Sequence, residues 1–178
     1  MKRIIIHWTA GANKPNTHEK ECYHYLVDTE AGVHKGKYTP EDNLDCTDGK
    51  YAQHTGGGNT GSVGVALCGM LLPRHDRNVR NTKYPITKIE FEKAMLLVAQ
   101  LCEKYKLPIT EKTVLTHYEF GRAHPNTKSA DKIDITYLPC YPKLTAGEIG
   151  RFIRSKVSWY RANINNYENI LDKLSKKC

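Results

Sequence analysis

Three β-branched residues in a row, Ile4-Ile5-Ile6, open the chain. Apolar on both faces, this run predicts a strand at the centre of a sheet rather than at its edge. His7 closes it, and Thr9-Ala10-Gly11 predicts a turn into a loop, where a rigid sheet presents reactive groups. Ala12 to Glu21 is polar and holds Pro15 and Asn16, which predicts a loop with at most one helical turn. Tyr23 to Asp28 then alternates as a strand, Val33 begins a second, and Thr29-Glu30-Ala31-Gly32 between them reads as a hairpin turn. Pro40 to Lys50 is turn-rich. Ser62 to Gly69 is another buried strand, its glycines predicting close backbone approach.

From Lys88 the period changes. Ile89, Phe91, Met95, Leu96, Val98, Ala99 and Cys102 fall on one side of a helix ending near Tyr105, and Leu107-Pro108 stops it. Val114-Leu115-Thr116 predicts a short strand with His117 at its end, followed by a long loop from Tyr118 to Tyr137. Apolar residues recur at helical spacing over Ala146 to Tyr160 and Ile164 to Leu174, with a break at Asn163, Asn165 and Asn166. Strands and helices mix without regular alternation. The fold class expected is therefore α/β, a mixed central β-sheet flanked by α-helices, with a C-terminal helical extension.

A chain of 178 residues has room for one domain, here 1–145, with 146–178 as a basic helical extension packed on it. Lys and Arg outnumber Asp and Glu by 27 to 19. Residues 143 to 178 hold eight basic and three acidic side chains, so this segment carries most of the net charge of +8. Such an excess fits an anionic partner, whether nucleic acid, a membrane surface or an acidic envelope polymer. The basic residues are not interleaved with a nucleic-acid-binding motif, which sets nucleic acid aside. No stretch approaches the roughly 18 apolar residues of a membrane span, and Ile4 to Ile6 is too short for a signal-peptide core. Synthesis in the cytoplasm is the expectation. The six cysteines include no C-x-x-C pair, so they read as free thiols, Cys68 and Cys102 as small core hydrophobes.

His7 and His117 lie 110 residues apart, yet both close strands of one small sheet. A catalytic zinc takes three protein ligands and leaves a fourth position for water. Asp134, on the loop returning after His117, is the best oxygen donor, with Asp131 as the alternative. His18, His24, His34, His75 and His124 read as surface or hydrogen-bonding residues, since none completes a three-ligand set. His54 is either structural or lines a groove. Gly56-Gly57-Gly58 lacks the Gly-Lys-Ser/Thr of a phosphate loop.

In the order and spacing of five segments the chain resembles the zinc-dependent N-acetylmuramoyl-L-alanine amidases, which share a fold with peptidoglycan-recognition proteins and include phage lysis enzymes. The segments are His7-Trp8-Thr9-Ala10-Gly11, Tyr23-His24-Tyr25-Leu26 through Gly32, His54 through Asn59 to Gly69, His117, and Lys132-Ile133-Asp134. The resemblance implies Zn2+ held by His7, His117 and Asp134, catalytic roles for Tyr23 and Lys132, and substrate contacts from His54, Trp8 and Asn59. It also implies that the metal activates water against the amide between N-acetylmuramic acid and L-alanine. Two departures stand out. Only fifteen residues separate His7 from Tyr23, so the long helix of many relatives is absent or reduced to a turn, and Ile135 stands where a proline usually follows the third ligand.

The expected role is that of a monomeric phage or prophage lysis enzyme, cytoplasmic on synthesis and reaching the cell wall at lysis, with the basic tail drawn to an anionic envelope. A cytoplasmic muropeptide-recycling amidase and a non-catalytic recognition module are the alternatives.

Overall fold

Residues 1–166 are described by the computed structural model. Five strands form one sheet in the order β3-β2-β4-β1-β5: β1 Arg3–Trp8, β2 Tyr25–Val27, β3 Val33–Lys35, β4 Ser62–Leu67 and β5 Val114–Thr116. The first strand sits between β4 and β5 and pairs parallel with both. β2 joins the other side of β4 in parallel, and β3 returns antiparallel along β2 through the hairpin at residues 29–32. The sheet is thus mixed, as the sequence pattern predicts. Parallel neighbours on both sides explain why Ile4, Ile5 and Ile6 are all fully buried.

Side-chain alternation gives the sheet two unlike faces. Ile4, Ile6 and Trp8 of β1, Val63, Val65 and Leu67 of β4 and Val114 of β5 point into the main core. Two helices cover that face, α2 Lys88–Lys104 and α4 Ala146–Ala162, through residues such as Phe91, Met95, Val98, Ile149, Ile153 and Val157. On the opposite face the buried apolar clusters are small: Ile5 with Leu115 and Phe120, and Leu26 with Ala66 and Cys68. Small residues on β4, Gly64 and Ala66, leave that side shallow. Of the two short helices, α1 Thr17–Cys22 and α3 His117–Ala123, the second packs against β1 and β5, while Tyr23 after the first packs against Leu26, Ala66 and Cys68.

The short helix α1 lengthens the single helical turn allowed there and α3 replaces the start of an expected loop, for the same reason. Asn16 and Glu19 form a reciprocal capping box that starts a six-residue helix, and Thr116 with Glu119 does the same for α3. These are Asn-x-x-Glu and Thr-x-x-Glu signals inside segments too polar to show helical periodicity. Tyr23 consequently ends α1, and the strand after it begins at Tyr25 rather than Tyr23. His117 is the first residue of α3 rather than the last of β5.

The helix over Ala146–Ala162 forms as its spacing predicts, ends at Asn163, and gives way to a short 3-10 turn over Ile164–Asn166. The expected helical continuation to Leu174 lies outside the described residues. Three of the four basic side chains of α4 are docked rather than free: Arg154 bonds Glu119 and the Val114 carbonyl, Lys156 bonds Glu92, and Arg161 bonds Glu103 and the Leu107 carbonyl, while Arg151 is exposed. Glu92 is itself buried and also accepts from the hydroxyls of Tyr141 and Tyr160. Removing one partner of such a buried charge typically costs about 3–5 kcal/mol. Three of the cations expected to face solvent thus fasten α4 to the domain.

A second buried carboxylate is less well served. Glu90 closes the capping box of α2 with one oxygen, while its other oxygen has no hydrogen-bond partner. Burial, together with the nearby Asp28 charge, pushes its carboxyl up to about 8. Between the ordinary carboxyl value near 4.5 and 8, the folded chain therefore binds more protons here than the unfolded chain, and stability falls as pH rises through that window. We expect the wild type to lose up to about 1 kcal/mol per pH unit from this group. Denaturant unfolding at pH 5 to 8 should show that slope flattened in Glu90→Gln; parallel slopes would contradict it.

Candidate metal centre

His7 and Ile5 share the shallow face of β1, because strand residues two apart point the same way. The β1–β5 register sets Ile6 opposite Thr116, so the next residue of each chain segment arrives at the same place. There the two imidazoles meet edge to face, with ring centroids 4.6 Å apart. Asp134 comes back from the loop after α3 to complete the set. The His7 Nδ1 and His117 Nδ1 atoms lie 3.1 Å apart, and Asp134 Oδ2 is 3.2 Å from the first and 3.1 Å from the second. Among the described residues these three are the group of His, Cys, Asp or Glu side chains arranged to hold a metal ion. Asp131 is exposed and outside the triad.

Three groups that each carry a lone pair face one another here, an arrangement that is repulsive unless a proton or cation sits among them. Ligand atoms around a tetrahedral zinc with bonds near 2.0–2.1 Å stand about 3.3 Å apart. The triangle seen is within a few tenths of an ångström of that spacing, and two imidazoles plus a carboxylate suit zinc. The electrostatics agree. Burial above all, with the Lys132 charge nearby, holds His7 down at about 4, so its imidazole is neutral and able to ligate at neutral pH. Burial alone would raise the Asp134 carboxyl, but its contacts with the two histidines outweigh this and keep it below the usual carboxylate range.

Two grooves flank the triad. One, of about 650 Å³, is polar and lined by Gln53, His54, Asn59, His117, Lys128 and Lys132 among others. The other, of about 400 Å³, is lined by Trp8, Met70, Leu71, Ile133, Asp134 and again Lys132. Lys132 is exposed and borders both. Tyr23 packs beside His7 with ring centroids 5.2 Å apart, and burial followed by the Asp134 charge raises its phenol, so it remains a neutral donor. Its position at the end of α1 follows from the Asn16 cap.

The remaining expected contacts are placed less simply. Trp8 alternates to the face opposite His7, is 4% exposed and belongs to the main core, with only its edge on the smaller groove. Asn59 lines the larger groove, but its side-chain oxygen accepts from the Thr55 backbone amide and so fixes the loop. His54 is buried behind His7, its Nδ1 3.2 Å from His7 Nε2, while one edge reaches the larger groove. Of the two roles expected for His24, surface or hydrogen-bonding, it has the second: it is buried between the Gly64 amide and the Asn43 side chain.

Sequence reasoning passed over Asn43, Thr55 and Ser129. Asn43 is fully buried and its amide bonds Ala52 twice, the Asn59 carbonyl and His24. Ser129 bonds His117 Nε2. Short polar residues in loops carry no periodic signal, so nothing in the pattern marks them.

The profile of a family described as N-acetylmuramoyl-L-alanine amidase matches residues 1–134, which is most of the chain and reaches Asp134, the last residue of the triad. The chain belongs to that family. Among solved structures, this amidase-family chain matches Drosophila peptidoglycan recognition protein SD at 16% identity, over 72% of this chain and 74% of that one, with a TM-score of 0.46. No curated protein sequence gives a significant match. Among the described residues of this family member, no helix is long and apolar enough to cross a membrane.

The absence of a proline after Asp134 fits the local backbone: Ile135 is buried with φ of 66°, and a proline ring, which fixes φ near −65°, cannot adopt it. At Gly64 the constraint is space, since a Cβ would stand 2.5 Å from the His54 ring. We expect Gly64→Ala to cost about 1–3 kcal/mol by overpacking. In a double-mutant cycle with His54→Ala, part of that loss should return; strictly additive unfolding energies would show that the ring is not what Gly64 accommodates.

Proposed function

We propose that this chain is a zinc-dependent N-acetylmuramoyl-L-alanine amidase, hydrolysing the amide between the lactyl group of N-acetylmuramic acid and L-alanine in peptidoglycan. The observation that carries the reading is the convergence of His7, His117 and Asp134 at 3.1–3.2 Å in a member of that family. These three would hold the ion, whose chemistry is that of a Lewis acid that activates water and polarises a carbonyl. That supply suffices for an unactivated amide, so neither a serine nor a cysteine nucleophile is required. The buried thiols fit this: burial pushes Cys102 up to about 11, well away from thiolate reactivity.

The protein's own donors do the rest. As the carbonyl carbon becomes tetrahedral, negative charge grows on its oxygen, and a donor already in place stabilises that state more than the substrate. Lys132, exposed at the junction of the two grooves, is placed to bring its ammonium to that oxygen. Tyr23, a neutral phenol beside His7, donates there or to the attacking water and helps pass a proton to the leaving nitrogen. Trp8, Asn59 and His54 shape the grooves from beneath more than they grip substrate.

For its biological duty we favour lysis, with synthesis in a host cytoplasm and action on the wall as a monomer. The net charge of +8 supports this, since an anionic envelope attracts it. Exposed cations such as Lys112, Arg122, Lys128 and Arg151 take the steering role that Arg154, Lys156 and Arg161 cannot.

Two measurements test the reading. The purified protein should carry one zinc per chain, lost in His7→Ala and His117→Ala, and mass analysis of digested sacculi should show free stem peptides beginning with L-alanine. Retention of zinc by both variants, or cleavage at another bond, would overturn it; release only from soluble muropeptides would move the duty to recycling. Lys132→Ala and Tyr23→Phe should each keep zinc and fold yet lose about a hundredfold to a thousandfold in turnover, with substrate binding changed far less. Near-normal turnover in both would reduce the site to the metal and its ligands.

A further inference from the structure

The two imidazoles of the triad both present Nδ1 to the centre, and their outward nitrogens are held differently. His117 Nε2 lies 2.9 Å from Ser129 Oγ, and that hydroxyl lies 2.9 Å from the Gly56 carbonyl oxygen. A carbonyl only accepts, so the single hydroxyl hydrogen of Ser129 goes to Gly56. The serine oxygen must then accept, and His117 Nε2 must carry a hydrogen. A neutral imidazole has one ring hydrogen, which leaves Nδ1 bare and directed at His7 and Asp134. We propose that Ser129 is a positioning residue that locks His117 in the Nε2–H tautomer and fixes its ring plane, so that the ligating lone pair exists before any ion arrives.

The surroundings are built for this contact. Ser129 is fully buried, so no water competes for its hydroxyl. A Cβ on Gly56 would stand 2.7 Å from Lys128 Cβ, and one on Gly121 would stand 1.9 Å from the Ser129 carbonyl oxygen. Glycines at both places let the loop carrying Ser129 press against the Gly56 backbone on one side and α3 on the other. Ser129 also accepts the Lys132 amide through its own carbonyl, so the residue that orients the second ligand starts the turn leading to Lys132 and Asp134. His7 has no equivalent lock. Its Nε2 is 3.2 Å from His54 Nδ1, which donates or accepts according to its tautomer, and 3.4 Å from Thr55 Oγ1, a hydroxyl that can do either.

Partners of this kind orient ligand imidazoles and raise their basicity, and losing one typically costs about 10- to 100-fold in metal affinity. The consequence for metal rests on the zinc reading above, whereas the tautomer does not, and the experiment separates them. Nitrogen-15 NMR of the imidazoles in the metal-free protein near pH 8 should show His117 with hydrogen on Nε2 and none on Nδ1. Ser129→Ala should show mixed tautomers at His117, and competition with a chromophoric chelator should give a zinc dissociation constant raised about 10- to 100-fold. Hydrogen on Nδ1 in the wild type would overturn the inference, as would a Ser129→Ala protein with tautomer and zinc affinity unchanged. If that variant does not fold, the wild-type tautomer decides by itself. A wild type with the Nε2–H tautomer but no stoichiometric zinc would refute the metal reading and leave the role of Ser129 upheld.

Discussion

Parallel pairing of β1 with β5, in the register that sets Ile6 opposite Thr116, is the constraint on which the rest of the site depends. It carries His7 and His117 to one point although 110 residues separate them in the chain. The side-chain period of a strand is two, so a slip of one residue would send His7 into the main core and Trp8 into the site. Burial guards against that slip: Ile4 and Ile6 are packed under α2 and α4, and Ile5 against Leu115 and Phe120. The apolar residues of β1 therefore hold His7 and His117 in register as well as stabilising the sheet.

The asymmetry of the two faces then decides where chemistry can occur. Two long helices seal one face. Over the other, Gly64 and Ala66 keep the surface low enough for a layer of imidazoles, His7, His24 and His54, to lie on the sheet. Taking these rings out of water keeps them neutral, which holds His24, like His7, at about 4. Neutral rings serve as ligands and as hydrogen-bond partners. Protonation of several at once would set like charges against one another in a place that cannot solvate them.

Charge is handled in the opposite way on the helical side. Glu92, Glu103 and Glu119 each receive a cation from α4, so this helix is fastened to α2 and α3 by charge-assisted bonds as well as by its apolar stripe. The bond from Arg154 to Glu119 reaches the helix that His117 begins, and through it α4 braces His117 from behind. The basic character of this segment in the sequence thus has a structural use before any electrostatic one.

The sequence by itself determined what is periodic or chemically distinctive. The buried strands, the helices over 88–104 and 146–162, and the hairpin at residues 29–32 follow from apolar spacing and turn chemistry, which act locally. The two histidines of the triad were legible too, as residues closing predicted strands, whereas the choice of Asp134 over Asp131 came from the resemblance to the amidase family. Only the tertiary structure decided which side of the sheet each residue faces and which polar side chains are partners. Trp8, adjacent to His7, belongs to the core, and Asn59 serves its own loop. Arg154, Lys156 and Arg161 read as a solvated face until the carboxylates opposite them are known. Asn43, Thr55 and Ser129 acquire their roles solely from neighbours distant in sequence. A hydrogen bond is directional and of short range, so its existence depends on atomic positions that composition and periodicity do not encode.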